Sequence, residues 1–230
     1  MSEIFIHSFQ FGENDHLVAD APACLSTEEL ARAERFKVEA ARRQFLISHC
    51  LLRTTLSRYL RTDACSIRYR YGKHGKPHLA VPDLHDLTFN LSHSADRLLI
   101  AVRHGPEVGV DIELIREINK PLQLAGHFMS GDEAQQLARL TDPALQRELF
   151  FSLWTRKEAY IKALGKGFFH ALNETDMREL APGIYLPDFE KNQDCRVFDL
   201  QIAADYKAAV AVRMSGDSAA VASGIKVLEQ

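Results

Sequence analysis

The same order of sequence patterns occurs twice along this chain. Residues 26–29, Ser-Thr-Glu-Glu, have the spacing of a helix capping box, and residues 130–133, Ser-Gly-Asp-Glu, repeat it. Each box precedes a long helical pattern, over 39–60 and over about 144–164, and strand patterns follow each helix. This repetition predicts an α+β fold of two pseudo-symmetric halves with a functional site between them.

The predicted halves are residues 1–105 and 106–230, and they differ in charge. Between Arg32 and Lys76 there are 12 Lys and Arg against 3 Asp and Glu, whereas the whole chain has a net charge of −3. The first half is therefore suited to binding an anion. A compact polyphosphate fits better than a nucleic acid, because the acidic remainder of the chain would repel a long polyanion.

A short strand pattern in the middle of the chain carries two carboxylates on one face. Apolar residues at 108, 110 and 112 alternate with Gly109, Asp111 and Glu113. Two carboxylates on one strand face can hold a cation together. An Asp-x-Glu pattern is also common on a solvent-exposed strand, so this motif alone decides little.

A helical pattern over 154–162 adds a third carboxylate and an ammonium group. Because four residues rotate a helix by about 400°, Trp154, Glu158 and Lys162 lie in line on successive turns. With Asp111 and Glu113, these side chains would suit a magnesium ion and phosphate oxygens. A Glu-to-Lys pair is also ordinary on helix surfaces, so the motif gains weight only in combination.

The composition argues against several other classes of protein. With 46% hydrophobic and 26% charged residues, the chain has the composition of a soluble globular protein. We find no apolar run of about 18 residues and no secretory leader, and we expect a cytoplasmic protein with no membrane partner. The four cysteines lack close spacing, which argues against a zinc site or a disulfide framework.

Four segments together resemble the motifs of one enzyme family. They are Gly75-Lys76-Pro77, Asn90-Leu91-Ser92-His93-Ser94, Gly109-Val110-Asp111-Ile112-Glu113 and the run from Trp154 to Lys162. In order and spacing they resemble the motifs of 4′-phosphopantetheinyl transferases of the surfactin-synthetase-activating (Sfp) type. Trp154 followed by Lys157-Glu158-Ala159 is similar to the Trp/Lys-Glu-Ala subgroup of that family.

The resemblance implies that the chain moves 4′-phosphopantetheine from coenzyme A to a serine of an apo carrier protein and releases 3′,5′-ADP, a holo-[acyl-carrier-protein] synthase activity. It implies that Asp111, Glu113 and Glu158 bind Mg²⁺, or Mn²⁺, on the pyrophosphate. Glu158 is then the favoured general base, with a water held by Asp111 as the alternative. Lys162 would stabilise the leaving group.

The resemblance also implies which residues contact coenzyme A. They are Arg43, Arg53, Gly75, Lys76, Pro77, Ser92, His93, Lys157 and Lys162. The Gly-Lys-Pro turn would seat the adenine and direct its lysine to a phosphate, and His93 would also contact phosphate. For the 3′-phosphate we expect Arg43 first and Arg53 second.

The expected protein partners are acyl carrier proteins or peptidyl carrier domains of fatty-acid, polyketide or nonribosomal peptide synthesis. Residues 114–131 contain apolar side chains rimmed by Arg116 and Lys120, which fit either a docking groove for these carriers or a helix that packs into the core. We expect a monomer that does not bind nucleic acid. Two other functions stay open: a coenzyme A or nucleotide-binding module without turnover, and a nucleic-acid binder that uses the basic first half.

Overall fold

The helices and strands of the chain confirm the predicted α+β fold. The computed structural model describes residues 3–80, 86–165, 172–188, 194–214 and 224–230. Its helices are α1 (Leu17–Cys24), α2 (Thr27–Ala33), α3 (Glu39–Leu60), α4 (Pro121–Ala125), α5 (Gly131–Arg139) and α6 (Pro143–Leu164). Its strands are β1 (Ile4–Gln10), β2 (Tyr69–Tyr71), β3 (Pro77–Leu79), β4 (Leu87–Ser94), β5 (Arg97–His104), β6 (Val108–Leu114), β7 (Asp176–Ala181), β8 (Ile184–Asp188), β9 (Cys195–Leu200), β10 (Tyr206–Arg213) and β11 (Ile225–Glu229).

Two larger sheets form the centre of the fold. The first has the strand order β11-β1-β5-β4, in which β11 runs parallel to β1 and the other neighbours are antiparallel. The second has the order β6-β10-β9-β8-β7 and is antiparallel. Strands β2 and β3 form a separate hairpin. The last described strand of the chain, β11, therefore completes the sheet of the first half.

Apolar faces of the two sheets pack against each other, and one long helix covers the outer face of each sheet. Ile4 and Ile6 of β1 share a core cluster with the apolar side chains of β6 and β10. Helix α3 packs on the first sheet through residues such as Leu52 and Leu56. Helix α6 packs on the second sheet through small side chains such as Ala159. The strand alternation thus separates a sheet-to-sheet face from a face that meets a helix.

The first strand, the capped helix and the long helix of each half are separated by 104 positions. Strands β1 and β6 begin at residues 4 and 108, helices α3 and α6 begin at residues 39 and 143, and both members of each pair have the same length. Both capping boxes are formed. The glutamate of each box also binds a buried cation of the long helix, Glu29 with Arg53 and Glu133 with Lys157. The halves therefore share the starts of the capped and long helices, the length of the long helix and a buried ion pair.

The structure differs from the sequence prediction in a few details. The alternating residues Ile67, Arg68, Tyr69, Arg70 and Tyr71 predict a strand over 67–71, but the strand begins at Tyr69 and residues 64–66 form a short 3-10 turn first. Residues 215–223 are rich in Ser, Ala and Gly, which predicts a loosely ordered tail, and this segment lies outside the described residues. Within the residues that are described, no helix is both long enough and apolar enough to cross a lipid bilayer. The four cysteines are free thiols.

Candidate active site

Strands β4 and β6 belong to different sheets, and their side chains join the two halves of the chain. Asn90 Oδ1 accepts a hydrogen bond from the Val110 N–H at 2.9 Å. Two residues further along, Ser92 Oγ donates to Asp111 Oδ1 at 2.7 Å. The Asn-Leu-Ser-His-Ser segment therefore fixes the position of the strand that carries the predicted carboxylates.

Gly109 allows β6 to lie directly against α6. A Cβ atom at this position would be 2.1 Å from the carbonyl oxygen of Ala159, so any side chain would push the strand and the helix apart. This close approach brings Lys162 of α6 to Asp111 of β6, with 2.6 Å between Lys162 Nζ and Asp111 Oδ1. The same ammonium donates to Ser92 Oγ at 2.9 Å. One lysine thus links both strands.

Glu113 and Glu158 complete a group of three carboxylates with Asp111. Glu113 Oε2 accepts hydrogen bonds from Ser94 Oγ at 2.8 Å and from Arg116 at 3.3 Å. Glu158 lies on the face of α6 towards β6 and is buried. Its burial and the nearby negative charge of Asp111 raise the pKa of Glu158 to about 7. At neutral pH this carboxyl group can therefore exchange a proton.

Two buried carboxylate oxygens in this group accept no hydrogen bond from any described residue. They are Asp111 Oδ2 and Glu158 Oε1. Burial also raises the pKa of Asp111, although the ammonium of Lys162 acts in the opposite direction. Such oxygens are stabilised by a proton or a cation, and hard oxygen donors are the ligands that Mg²⁺ prefers. The donor set therefore fits a divalent cation.

In the present arrangement these carboxylates do not converge on one point. Over the described ranges, no three Asp, Glu, His or Cys side chains come close enough to form a ready metal cluster. The reason is visible in their partners, because Asp111 Oδ1 is turned to Lys162 while Glu113 Oε2 is turned to Ser94. Binding a cation with all three carboxylates would therefore require some of these side chains to change rotamer.

A cavity of about 430 Å³ lies beside this group and extends along the helices of the first half. Its polar lining includes Arg32, His49, Ser92, His93 and Lys162. Packing around the imidazole and the nearby ammonium of Lys162 lower the pKa of His93. The concentration of basic side chains around one cavity of this size suits an organic polyphosphate.

A second cavity of about 400 Å³, which we call the apolar groove, has Glu113 of the carboxylate group in its lining. The groove is further lined by Arg116, Ile118, Leu124, Phe128, Phe150 and Trp154. Within residues 114–131, Ala125 and Met129 are buried in the core, whereas Leu122 and Leu124 are 46% and 43% exposed. This segment therefore packs into the core on one side and lines an open groove on the other.

Two of the predicted coenzyme contacts are buried cations of the framework. Arg53 is 1% exposed, and its guanidinium binds Glu29 at 2.7 Å and the carbonyl oxygen of Ala64 at 2.7 Å. Lys157 is fully buried, and its ammonium binds Glu133 and donates to two carbonyl oxygens that follow α6. Neither side chain lines the large cavity.

The other two predicted cationic contacts from the first half, Arg43 and Lys76, also bind protein groups. Arg43 is half exposed and forms an ion pair with Asp15 at 2.6 Å. Lys76 donates to the carbonyl oxygens of Val108 and Lys162 at 3.0 and 2.8 Å and also binds a glutamate of the second half. The Gly-Lys-Pro turn, in which Gly75 has a φ of 83°, thereby fastens the first half to the end of α6.

Sequence reasoning assigned no role to His49, which lies on the wall of the large cavity. Its Nδ1 lies 2.7 Å from Glu29 Oε1, and its ring packs on Phe45 with 4.0 Å between centroids. A signal for this arrangement exists in the sequence, because Phe45, His49 and Arg53 recur at intervals of four and so share one face of α3.

Models of known families match both halves of the chain. Residues 107–211 match the 4′-phosphopantetheinyl transferase superfamily, and residues 13–105 match 4′-phosphopantetheinyl transferase, N-terminal. The chain is 35% identical over 190 residues to a putative 4′-phosphopantetheinyl transferase of Synechocystis sp., which covers 82% of this chain and 77% of the relative. The chain belongs to the 4′-phosphopantetheinyl transferase superfamily.

Two further relatives place the chain among the Sfp-type transferases. The 4′-phosphopantetheinyl transferase HetI of Nostoc sp. is 36% identical, covering 72% of this chain and 70% of the relative. The 4′-phosphopantetheinyl transferase Sfp of Bacillus subtilis is 32% identical, covering 81% of each chain. The two family matches meet between β5 and β6, where the repeat of elements begins again.

Proposed function

We propose that this chain transfers 4′-phosphopantetheine from coenzyme A to a serine of apo acyl or peptidyl carrier domains and releases 3′,5′-ADP. One observation carries the proposal. Three carboxylates and Lys162 lie together between β6 and α6, beside a cavity lined by basic side chains. A module that only binds coenzyme A would need the basic cavity but not a buried carboxyl group with a pKa near neutrality.

We propose Asp111, Glu113 and Glu158 as ligands of Mg²⁺ or Mn²⁺. They offer hard oxygen donors, and the unpaired buried oxygens of Asp111 and Glu158 are suited to a cation. When bound, the ion would neutralise negative charge on the pyrophosphate and polarise its P–O bonds.

Glu158 is the general base in this proposal. It takes the proton of the carrier serine as the serine oxygen forms a bond to the β-phosphorus of coenzyme A and the bond to the 3′,5′-ADP oxygen breaks. In the metal-free site, burial and the charge of Asp111 raise the pKa of Glu158 to about 7, so this group can take up a proton at neutral pH. The alternative base is a water held by Asp111 Oδ2, since Asp111 Oδ1 already accepts hydrogen bonds from Lys162 and Ser92.

Lys162 stabilises the negative charge that develops on the leaving 3′,5′-ADP. Its ammonium lies in the lining of the large cavity while one of its hydrogen bonds goes to Asp111. It therefore reaches from the carboxylates to the phosphates, and its position is set in advance by Asp111 and Ser92.

The large cavity holds coenzyme A, with residues 1–105 supplying most of its walls and residues 106–230 supplying the catalytic side chains. We assign the 3′-phosphate to Arg32 rather than to Arg43 or Arg53. Arg32 lines the cavity, whereas Arg43 is paired with Asp15 and Arg53 is buried with Glu29. His93 and Ser92 line the cavity where it approaches the carboxylates.

The apolar groove is our proposed docking surface for the carrier protein. It shares Glu113 with the carboxylate group, so a carrier seated in the groove could direct its serine to Glu158. Arg116 on its rim suits the acidic helix beside a carrier serine. Because both halves of the site lie on one chain, we propose a monomer that primes carriers of fatty-acid, polyketide or nonribosomal peptide synthesis.

The decisive experiment is the intact mass of an apo acyl carrier protein and an apo peptidyl carrier domain after incubation with this protein, coenzyme A and Mg²⁺. A gain of about 340 Da on either carrier, lost with EDTA and with Asp111→Ala, is the expected result. Coenzyme A binding with no gain on any carrier would support a binding module instead. Steeply salt-dependent DNA binding in place of both would support a nucleic-acid binder.

A further inference from the structure

A buried carboxylate orients one histidine on the wall of the large cavity. Glu29 is 3% exposed, and it accepts hydrogen bonds from its own capping box, from Arg53 and from His49. Burial alone would raise the pKa of Glu29, but the hydrogen bonds from His49, Arg53 and the Ser26 N–H lower it to about 2. Glu29 is therefore an anion that fixes the His49 ring from behind.

The other nitrogen of this ring is available to a ligand. His49 lines the cavity, and the hydrogen bonds among the described residues occupy only its Nδ1. The ring stacks on Phe45, and the guanidinium of Arg32 lies 5.3 Å from the centroid of that same phenyl ring. Arg32 and His49 thus both pack against Phe45 and form a second group of basic side chains, contributed by α2 and α3.

The corresponding positions of the second half lack this group. A shift of 104 residues brings Arg32 to Gln136 and His49 to Leu153, although it brings Glu29 and Arg53 to the equivalent ion pair of Glu133 and Lys157. Leu153 is buried in an apolar cluster. The ion pair therefore belongs to the common framework, whereas the basic group of Arg32 and His49 is an addition confined to the half that forms the cavity.

We infer that His49, held by Glu29, recognises the 3′-phosphate of coenzyme A together with Arg32 and so makes the chain selective for coenzyme A over 3′-dephospho-coenzyme A. The inference rests on the proposed function, which places the pyrophosphate at Lys162 and leaves the 3′-phosphate for the other basic group of the cavity. With Nδ1 bound to Glu29, Nε2 is the nitrogen that meets the phosphate, and it donates to a phosphate oxygen when it carries a proton. Each charge-assisted hydrogen bond of this kind changes affinity by about tenfold or more.

The test is the binding of 3′,5′-ADP and of 5′-ADP, measured by titration calorimetry without carrier protein or metal. We expect the chain to prefer 3′,5′-ADP, and we expect His49→Ala to weaken the binding of 3′,5′-ADP about tenfold while leaving 5′-ADP within twofold. His49→Arg keeps a positive charge within reach of Glu29 and should restore part of the preference. His16→Ala removes an exposed histidine outside the cavity and should change neither affinity.

The outcomes separate this inference from the proposed function. If carriers are modified but His49→Ala, with an unchanged thermal unfolding curve, binds both nucleotides as the wild type does, the inference is wrong and the proposed function stands. If no carrier is modified but the preference for 3′,5′-ADP disappears in His49→Ala, the inference stands without the transfer reaction. An equal loss of both nucleotides would also overturn it, because it would indicate a change in the whole cavity.

Discussion

The same four framework positions carry different chemistry in the two halves. In the second half they hold the three carboxylates and the lysine of the candidate site. In the first half, 104 positions earlier, they hold an imidazole, a phenyl ring, a hydroxyl group and a guanidinium. The pairs are His7 and Asp111, Phe9 and Glu113, Thr54 and Glu158, and Arg58 and Lys162.

In the first half, Gln230 covers two of these positions by binding His7 and Arg58. His7 is buried, it hydrogen-bonds to Tyr59 at 2.8 Å, and burial followed by the charge of Arg58 lowers its pKa to about 4. Gln230 binds both His7 and Arg58 after β11 has paired with β1. The equivalent edge of the second half, β6, meets β4 and its serines instead. The framework therefore supplies positions, whereas the side chains and the neighbouring strand decide whether a position is a site.

The largest expected effect is on turnover, and it follows when a residue of the second half is replaced by its counterpart from the first half. Glu158→Thr gives position 158 the residue found at Thr54, which removes the proposed base and one metal ligand. We expect turnover to fall about 10³-fold or more, since general-base catalysis alone contributes 10²- to 10⁴-fold. Carrier modification followed by mass spectrometry measures the rate. Thr54→Ser is the matched control, and its turnover should stay within twofold of that of the wild type. A Glu158→Thr variant that keeps a tenth of normal turnover would refute the role of Glu158.

The two halves share a buried ion pair, and substitutions that break each pair test whether both pairs stabilise the fold equally. Lys157→Ala leaves Glu133 buried without its cation, and Arg53→Ala does the same to Glu29. Each should lower the free energy of unfolding by about 3–5 kcal/mol, measured by urea denaturation. A control at an exposed pair, Lys207→Ala, should change it by less than about 0.5 kcal/mol.

Equal losses at the two buried pairs would support equivalent framework roles. If Lys157→Ala has no effect on stability but abolishes coenzyme A binding, the lysine contacts the coenzyme, as the sequence resemblance implies. Replacing both partners, Glu133→Gln with Lys157→Met, should recover much of the loss because no buried charge is then left alone.

Local sequence patterns predicted the framework well. Both capping boxes, the limits of α3 and the alternation of β6 follow from interactions between residues a few positions apart, which the sequence displays directly. The shared face of Asp111 and Glu113 follows from the same alternation. The placement of these carboxylates against α6 depends in addition on Gly109, whose missing side chain allows the close approach.

The partners of the long basic side chains could not be predicted in this way. Arg53 reaches Glu29, which is 24 residues away in sequence, and Lys76 reaches the carbonyl oxygen of Lys162, 86 residues away. A flexible cation can turn to a coenzyme or to a protein acceptor, and only tertiary contacts decide between them. The closing of the His7 position by Gln230 likewise depends on β11, which pairs with a strand at the other end of the chain.

The raised pKa of Glu158 predicts an effect of intermediate size on stability. In the unfolded chain this carboxyl group titrates near its usual pKa of 4.5, and in the folded chain it titrates near 7. Between these values the folded state holds more protons, so the free energy of unfolding falls as pH rises through this window. The loss amounts to about 3 kcal/mol above pH 7. Glu158→Gln cannot ionise and should therefore be more stable than wild type at pH 8, with a smaller difference at pH 4.5.

Urea denaturation at the two pH values, in EDTA, measures this difference. Adding Mg²⁺ should stabilise the wild type at pH 8, because the ionised carboxylates can bind the cation, and should stabilise Glu158→Gln less. If the wild type is as stable as Glu158→Gln at pH 8 in EDTA, the pKa of Glu158 is not raised in the folded chain. Equal stabilisation of both proteins by Mg²⁺ would contradict Glu158 as a metal ligand.

The smallest expected effect concerns a cation that occurs in both halves. Arg43 pairs with Asp15 on the surface, and Arg147, 104 positions later, pairs with Glu117 in a similar way. Because Arg147 occupies the equivalent position among the described residues and does not line the large cavity, we assign Arg43 to the common surface rather than to the 3′-phosphate. Arg32 differs, since its counterpart is Gln136.

Arg43→Ala should therefore weaken the binding of 3′,5′-ADP by less than about twofold and lower the free energy of unfolding by less than about 0.5 kcal/mol. Arg32→Ala should weaken that binding about tenfold. Fluorescence competition with a labelled coenzyme A measures both variants under the same conditions. If Arg43→Ala causes the larger loss, its pair with Asp15 opens when coenzyme A binds, and the residue favoured on sequence grounds is the phosphate contact after all. In that case Arg43 binds the ligand, and its counterpart Arg147 keeps only a surface ion pair. Basic residues of the first half that lie outside the cavity lining would then also contribute to ligand binding.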